Sequence, residues 1–419
     1  MWQKYSTLRL TLALVLGMTA AHFLMPLLQG QVPALFLLLA LLGAVLCLLY
    51  FRPAILYHDR LFGATTLCFF FTLGLVLFTQ KRTTTVDTPY WQKVRTITPF
   101  QQHIHDVYEQ AGMDSETSAV LESVTVGNKS GLTRERRQQF SNAGIAHVLA
   151  LSGLHLTILL AFFDLLLLRS YLPLRWRRIT ALLLIPLIWA YCLAAGAPAS
   201  LIRAATMSTM IQLAIVIGTE YNVLNACAAA AGAMLLWNPL YLLDISFQLS
   251  FTSVLAITLA ALPLLRYAPR RSIVLGYLYA SVTISLVCTV FTLPIVAYYF
   301  GQVPTLSILS NIVVSLLLLF ILYGSLLWWA FFWWTPVQTI IGHIVTWSVK
   351  AMTACASTLS ALPFATFSYR PRLAEVVLLY VILACLVRFC RTREAKSLIL
   401  LLSLTVIFVF IQLIDTLHQ

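Results

Sequence analysis

Apolar runs long enough to cross a bilayer follow one another along almost the whole chain, at residues 8–28, 33–51, 61–79, 145–168, 179–197, 201–218, 222–240, 245–265, 272–300, 305–334, 337–360, 373–389 and 397–416. A helical span takes about 20 such residues, and lipid offers the backbone no hydrogen-bond partner outside its own helix. The expected fold is therefore all-α, a polytopic helical membrane protein of roughly 11–13 spans, some broken or re-entrant. Composition agrees. Of 419 residues, 60% are hydrophobic and only 10% charged, whereas a soluble domain carries about 25% charged residues. A β-barrel would show short alternating segments, and none is visible.

The net charge of +13 invites a nucleic-acid reading, but topology accounts for most of it. With the N-terminus inside, inner loops hold Lys4, Arg9, Arg52, Arg60, Arg169, Arg175, Arg177, Arg178, Arg266, Arg270, Arg271, Arg388, Arg391, Arg393 and Lys396, more than half of the 27 basic residues. Short outer loops hold Arg370 and Arg372. This is the usual bias of basic residues toward the cytoplasmic side. Lys4 and Arg9 before an apolar run look like a signal peptide, but no small-residue cleavage site follows, so the run reads as a retained first helix. The eight cysteines show no CxxC pair or zinc spacing and read as small buried hydrophobes.

Four regions follow. Residues 1–79 form an N-terminal membrane segment of three helices. Residues 80–144 are a short extracytoplasmic linker, nearly balanced in charge. It opens on a loop-like Lys81-Arg82-Thr-Thr-Thr, with short helices over 116–126 and, capped by Thr133, over 134–142, and a turn at Gly127–Gly131. Residues 145–335 form the core and 336–419 the C-terminal helices. Several core segments are interrupted, by Gly196-Ala-Pro198-Ala-Ser200, by Asn238-Pro239 ahead of Asp244, and by Pro294. Broken helices at membrane depth are tolerated where they line a wet cavity, which favours a transporter or channel. Run 305–334 exceeds what a bilayer needs and could split into two re-entrant halves.

Helix 337–360 carries Thr339, His343, Thr346, Lys350, Thr353, Ser357 and Ser360 at steps of four and three, on one face. It either lies flat at the interface or crosses with this stripe toward a lumen. Crossing keeps the basic cluster at 388–396 inside, and is preferred.

Candidate chemistry concentrates in Gly144-Ile-Ala-His147-Val-Leu-Ala-Leu-Ser152-Gly153-Leu-His155. Three residues apart, Ser152 and His155 are neighbours on a helix face. They suggest either an activated nucleophile or, with Gly153, close helix packing; no carboxylate is placed to orient the base, since the nearest, Asp164, lies two and a half turns on. His147 and His155 specify no third metal ligand. Arg203, within a span, needs an anionic partner: either Asp244 or a phosphate in transit. Gln248 and Ser250 either line a path or bridge helices. His103-Ile-His105-Asp106 reads as solvated loop. No catalytic residue, metal or cofactor is expected.

Phe140 through His155 closely resembles the signature of ComEC-type competence proteins, the inner-membrane channel for incoming transforming DNA. Ser200-Leu-Ile-Arg203-Ala is similar to that family's small-x-x-Arg-Ala motif. Asn238-Pro239 with Asp244 and Phe247-Gln248-Leu-Ser250-Phe251 resembles a further block, with Ser246 where Gly is frequent. Pro294, Tyr298-Tyr299-Phe, Gln302-Val-Pro304 and Asn311 look like a later one. The resemblance covers roughly residues 115–335 and, through its four ordered motifs, implies a channel passing single-stranded DNA into the cytoplasm during natural transformation. It places His147, Ser152, Gly153, His155, Arg203, Asp244, Gln248, Ser250 and Asn311 on or near the DNA path, and Lys350, beyond the resemblance, joins them as a cation within a predicted span. Tyr298 and Tyr299 offer stacking surfaces or an interfacial belt. The expected setting is a bacterial inner membrane, N-terminus cytoplasmic and C-terminus extracytoplasmic, with membrane lipid around it. Expected partners are an extracytoplasmic DNA receptor, a cytoplasmic motor, a separate nuclease and further copies in a homo-oligomer. Many relatives carry an OB-like outer domain and a terminal metallo-β-lactamase-like domain. Residues 80–114 are too short for the first, and no His-x-His-x-Asp-His run marks the second. The alternatives are a secondary transporter for a small anionic solute and an intramembrane Ser/His hydrolase.

Overall fold

The computed structural model describes residues 6–28, 30–51, 58–84, 97–167, 171–218, 223–269 and 272–417. Lys4, Arg52, Arg169, Arg270 and Arg271 of the inner-loop set lie outside them. In chain order the helices are α1 (Ser6–Phe23), α2 (Met25–Leu28), α3 (Val32–Phe51), α4 (His58–Thr84), α5 (Pro99–Gln110), α6 (Ser115–Thr125), α7 (Arg134–Asn142), α8 (Gly153–Leu166), α9 (Leu174–Ala194), α10 (Ala199–Ile217), α11 (Val223–Trp237), α12 (Ile245–Ala256), α13 (Leu262–Leu265), α14 (Ile273–Phe300), α15 (Ser307–Ala330), α16 (Thr335–Ser360), α17 (Leu373–Thr392) and α18 (Ala395–Leu417). A 3₁₀ turn (Pro239–Leu243) precedes α12 and a π-helical turn (Ile257–Ala261) follows it. Strands β1 (Gln302–Pro304) and β2 (Thr366–Ser368) pair antiparallel.

Every apolar run contains a helix, and the chain is an all-α polytopic membrane protein. Among the described residues, eight helices are long and apolar enough to cross a membrane, and four shorter ones are apolar. Four details differ from expectation. Lys81 to Thr84 continue α4 rather than opening a loop. His103 to Asp106 lie inside α5, started by a capping box of Thr98 and Gln101. The run from 145 becomes helical only at Gly153. Pro294 sits within an unbroken α14 of 28 residues, as membrane helices tolerate where neighbours satisfy the freed carbonyl. The span expected over 305–334 is one continuous helix, α15, and the re-entrant alternative is not formed.

The chain forms two compact units, Met1–Thr96 with Leu168–Phe251, and Ile97–Leu167 with Thr252–Gln419. In the first, α1 and α4 cross backbone to backbone. A Cβ at Gly17 would fall 2.0 Å from the Phe71 carbonyl oxygen, and one at Gly74 would fall 2.3 Å from that of Leu14. Small residues permit such approach, the main source of helix attraction in lipid. Thr11 Oγ1 donates to the Ala228 carbonyl at 2.9 Å, tying α1 to α11. Between α9 and α10, Gly196 and Ala197 both take positive φ, +78° and +47°, and Pro198 then starts α10. Proline lacks the N–H a continuing helix needs, so the chain must turn here.

The second unit is built around α15. One core joins Ile104 and Tyr108 of α5, Val120, Leu121 and Val124 of α6, Phe140 of α7, Leu318 and Ile321 of α15, and Val349 and Met352 of α16. Helix α6, N-capped by Asp114, is buried at every position from Thr117 to Thr125. Thr133 caps α7 as its sequence predicts.

Candidate functional site

In the first unit the chain break delivers Arg203 to the second turn of α10, where it is 4% exposed. Its Nη1 lies 4.0 Å from Asp244 Oδ1, too far for a hydrogen bond, and its buried Nε has no partner. Asp244 is occupied otherwise. Its Oδ1 accepts the backbone N–H of Phe247 at 2.7 Å, which caps α12 and uses the positive end of its dipole. Gln248 turns back, its Nε2 donating to the Leu242 carbonyl at 2.9 Å, so it closes the 3₁₀ turn. Ser250 is half-buried two residues further along. The structure thus brings Arg203 and Asp244 near each other without completing their pair.

In the second unit the glycine-histidine-serine stretch is a loop. Residues 143–152 lack regular structure, while Ile145, Val148, Leu149 and Leu151 are buried and pin them down. Gly144 has φ +76°, and a Cβ there would lie 2.6 Å from Ser307 Cβ at the start of α15. Ser310 Oγ donates to the Ala143 carbonyl at 2.7 Å. The close approach in this stretch is made at Gly144; Gly153 is exposed. His147 is exposed on the loop, and Asn311 is half-buried just beyond Ser310.

Ser152 and His155 are not neighbours on a helix face. Ser152 is the N-cap of α8, in extended backbone, and His155 is the third helical residue. The Ser152 N–H donates to His155 Nδ1 at 3.3 Å, and Ser152 Oγ lies 2.9 Å from the same nitrogen. Accepting a backbone N–H makes Nδ1 the bare nitrogen and puts the ring proton on Nε2. Nε2 is buried without a partner. Such an arrangement starts a helix and leaves one donor waiting; a base needs its second nitrogen oriented by an acceptor.

Lys350 lies on the polar stripe of α16, exposed, with Nζ 3.2 Å from Oδ1 of Asp114. Sequence reasoning passed over a further cluster. His105 Nδ1 lies 2.7 Å from Oε1 of Glu122, which is 3% exposed. Asn128 Nδ2 donates to the other Glu122 oxygen at 2.7 Å, and Ser130 Oγ donates to Asn128 Oδ1 at 2.7 Å. His105, Glu122 and Ser130 edge a cavity of about 370 Å³ lined also by Ser118, Thr133 and Arg136, the last paired with Glu116. The hydrogen bond and the charge of Glu122 push the His105 pKa above its ordinary value. The available signal was Glu122 itself, a carboxylate between Val120, Leu121 and Val124, where a buried charge needs a partner.

The profile of one family, described as "Competence protein", matches residues 124–394. The chain belongs to the competence protein family. All the sequence-selected residues, from His147 to Lys350, fall within that match, whereas His105 and Glu122 precede it. ComE operon protein 3 of Bacillus subtilis (strain 168) is 28% identical over 196 residues, which are 47% of this competence-family chain and 24% of that relative. The chain therefore spans only about a quarter of that relative's length. No solved structure matches.

Proposed function

We propose that this chain is a channel that passes single-stranded DNA into the cytoplasm during natural transformation. It sits in a bacterial inner membrane, N-terminus cytoplasmic and C-terminus extracytoplasmic. The observation that carries this is Arg203, a buried guanidinium whose near carboxylate among the described residues, Asp244, is 4.0 Å away and whose Nε is unsatisfied. A buried cation so poorly paired costs several kcal/mol, which a passing phosphate would offset with charge-assisted hydrogen bonds. A DNA strand presents one such phosphate per nucleotide. Asp244 then keeps the arginine in place between phosphates without neutralising it by a bidentate pair.

The function calls for partners. An extracytoplasmic receptor presents the strand, a separate nuclease removes its complement, and a cytoplasmic motor or the proton gradient drives entry. A homo-oligomer is compatible with it. Replacing Arg203 by alanine is expected to abolish transfer of labelled DNA into the cytoplasm while surface binding persists. Arg203→Lys keeps the charge but loses the fork, and should retain part of the flux. Normal uptake by a normally expressed Arg203→Ala protein overturns this role.

The same arginine also suits a transporter for a small anion. Reconstituted vesicles that move inorganic anions but exclude oligonucleotides would establish that alternative. The 2.9 Å contact between Ser152 Oγ and His155 Nδ1 favours a hydrolase, against which stands the unpartnered Nε2. Labelling of Ser152 by a fluorophosphonate decides it.

A further inference from the structure

Helices α15 and α16 share one fate with respect to the bilayer. They run antiparallel and touch along their length. A Cβ at Gly324 would lie 2.6 Å from a Val345 methyl, and Trp328 packs over Gly342. At the other end the Thr305 N–H donates to the Ala365 carbonyl at 3.0 Å, beside the β1–β2 ladder. Helix α15 has 24 residues, about 36 Å at 1.5 Å per residue, and it exposes Leu309, Val313, Leu316, Phe320 and Leu327 along one side. That is a lipid-facing stripe of bilayer length. Its partner α16, with 26 residues, is not among the helices apolar enough to cross by themselves, but these contacts hold it beside α15 along that length.

α16 has three faces. Val345, Val349, Met352 and Ala356 are buried, in the core shared with α15. Ile340, Ile344 and Trp347 are exposed and apolar. The third face is the polar stripe, and what flanks it is protein: the Lys350–Asp114 pair joins it to the start of α6. Helix α7 also packs on α16 and is tethered to α15 through the bond from Ser310 to Ala143. Yet α7 leaves Arg134, Arg137 and Gln138 exposed. A helix of such polarity beside two lipid-depth helices must face water, since hydrocarbon cannot solvate it.

We propose that α7 and the stripe of α16 are two walls of a wet groove at membrane depth that receives the phosphates of the strand. Arg134 and Arg137 supply charge from one wall. Lys350, His343 and the hydroxyls of Thr346 and Thr353 line the other. This rests on the DNA-channel function above, to which it adds the path.

Single cysteines at Thr339, Thr346, Thr353 and Ser360, in a chain whose eight native cysteines are replaced, test it. A membrane-impermeant cationic thiosulfonate is applied to vesicles holding the full-length protein, with and without a single-stranded oligonucleotide. All four positions are expected to react. Cysteine at Ile340 or Ile344 should react about tenfold slower for each unit by which lipid raises the thiol pKa. The oligonucleotide should protect Thr346 and Thr353. A stripe that stays unreactive in a protein still competent for DNA uptake overturns the groove and spares the channel. A reactive stripe shielded by small anions but not by the oligonucleotide refutes its assignment to DNA, and DNA uptake by the Arg203 variants then decides the channel function separately.

Discussion

Gly144 carries two constraints at once, a left-handed backbone and a surface with no room for a methyl group. Its φ is +76°, and a Cβ would stand 2.6 Å from Ser307 Cβ and 2.9 Å from Ser307 Cα. A left-handed L-residue alone costs about 1–2 kcal/mol, and backbone cannot swing aside as a side chain can. Gly144→Ala is therefore expected to lower the melting temperature in detergent by several degrees, while Gly153→Ala, at an exposed helix start, leaves it nearly unchanged. Equal behaviour of the two variants refutes the packing described. His105 sets a pH dependence. Its pKa is raised by Glu122, so the contact stabilises fully below the ordinary histidine value and weakens as pH rises through the raised one. Hydrogen exchange in α5 should therefore speed up, beyond its intrinsic pH dependence, across neutral pH, and His105→Gln should remove that step. The histidine pair was visible in sequence; its partner, 17 residues away, was not.

Elements obey local chemistry where it is strong and yield to packing where it is not. Thr98, Asp114 and Thr133 cap α5, α6 and α7 as side chains of their type should. Pro198 forces the α9–α10 break, whereas Pro294, within a long helix, does not stop α14. The start of α8 moved from 145 to 153 because buried Ile145, Val148, Leu149 and Leu151 anchor a loop, and hydropathy cannot distinguish an apolar loop packed in protein from an apolar helix turn. The α1–α4 crossing gives the sharpest element-level expectation. Since Cβ atoms at Gly17 and Gly74 would strike the facing backbone at 2.0 and 2.3 Å, either Gly→Leu change should part the helices. The two changes together should cost less than their sum, because the first already opens the crossing. Thermal unfolding of both single variants and the double variant measures this, and strict additivity excludes a shared contact.

At the scale of the whole molecule, each unit is assembled from two separated stretches of chain, so neither follows from reading windows in order. The pairing of α15 with α16 bears on topology directly. If both cross, or neither does, the number of crossings keeps its parity and the basic residues from Arg388 to Lys396 stay on the side that the sequence expectation gives them. A phosphatase fused after Gln419 should then be active and a fused green fluorescent protein dark, and the reverse pattern contradicts the extracytoplasmic C-terminus. Fold class was legible from sequence because hydrophobic length is a local quantity, and a bilayer rewards it one helix at a time. Arg203 and Lys350 stood out for the same reason, as charges within apolar runs that demand an explanation wherever they lie. Which groups answer that demand depends on distances between residues far apart in the chain. Only the tertiary structure decided that Asp244 stops 4.0 Å short of Arg203, that Lys350 meets Asp114, and that Glu122 is buried against His105. The cost of a buried charge is set by a few ångströms of separation and by exclusion of water, and both arise only when the helices pack.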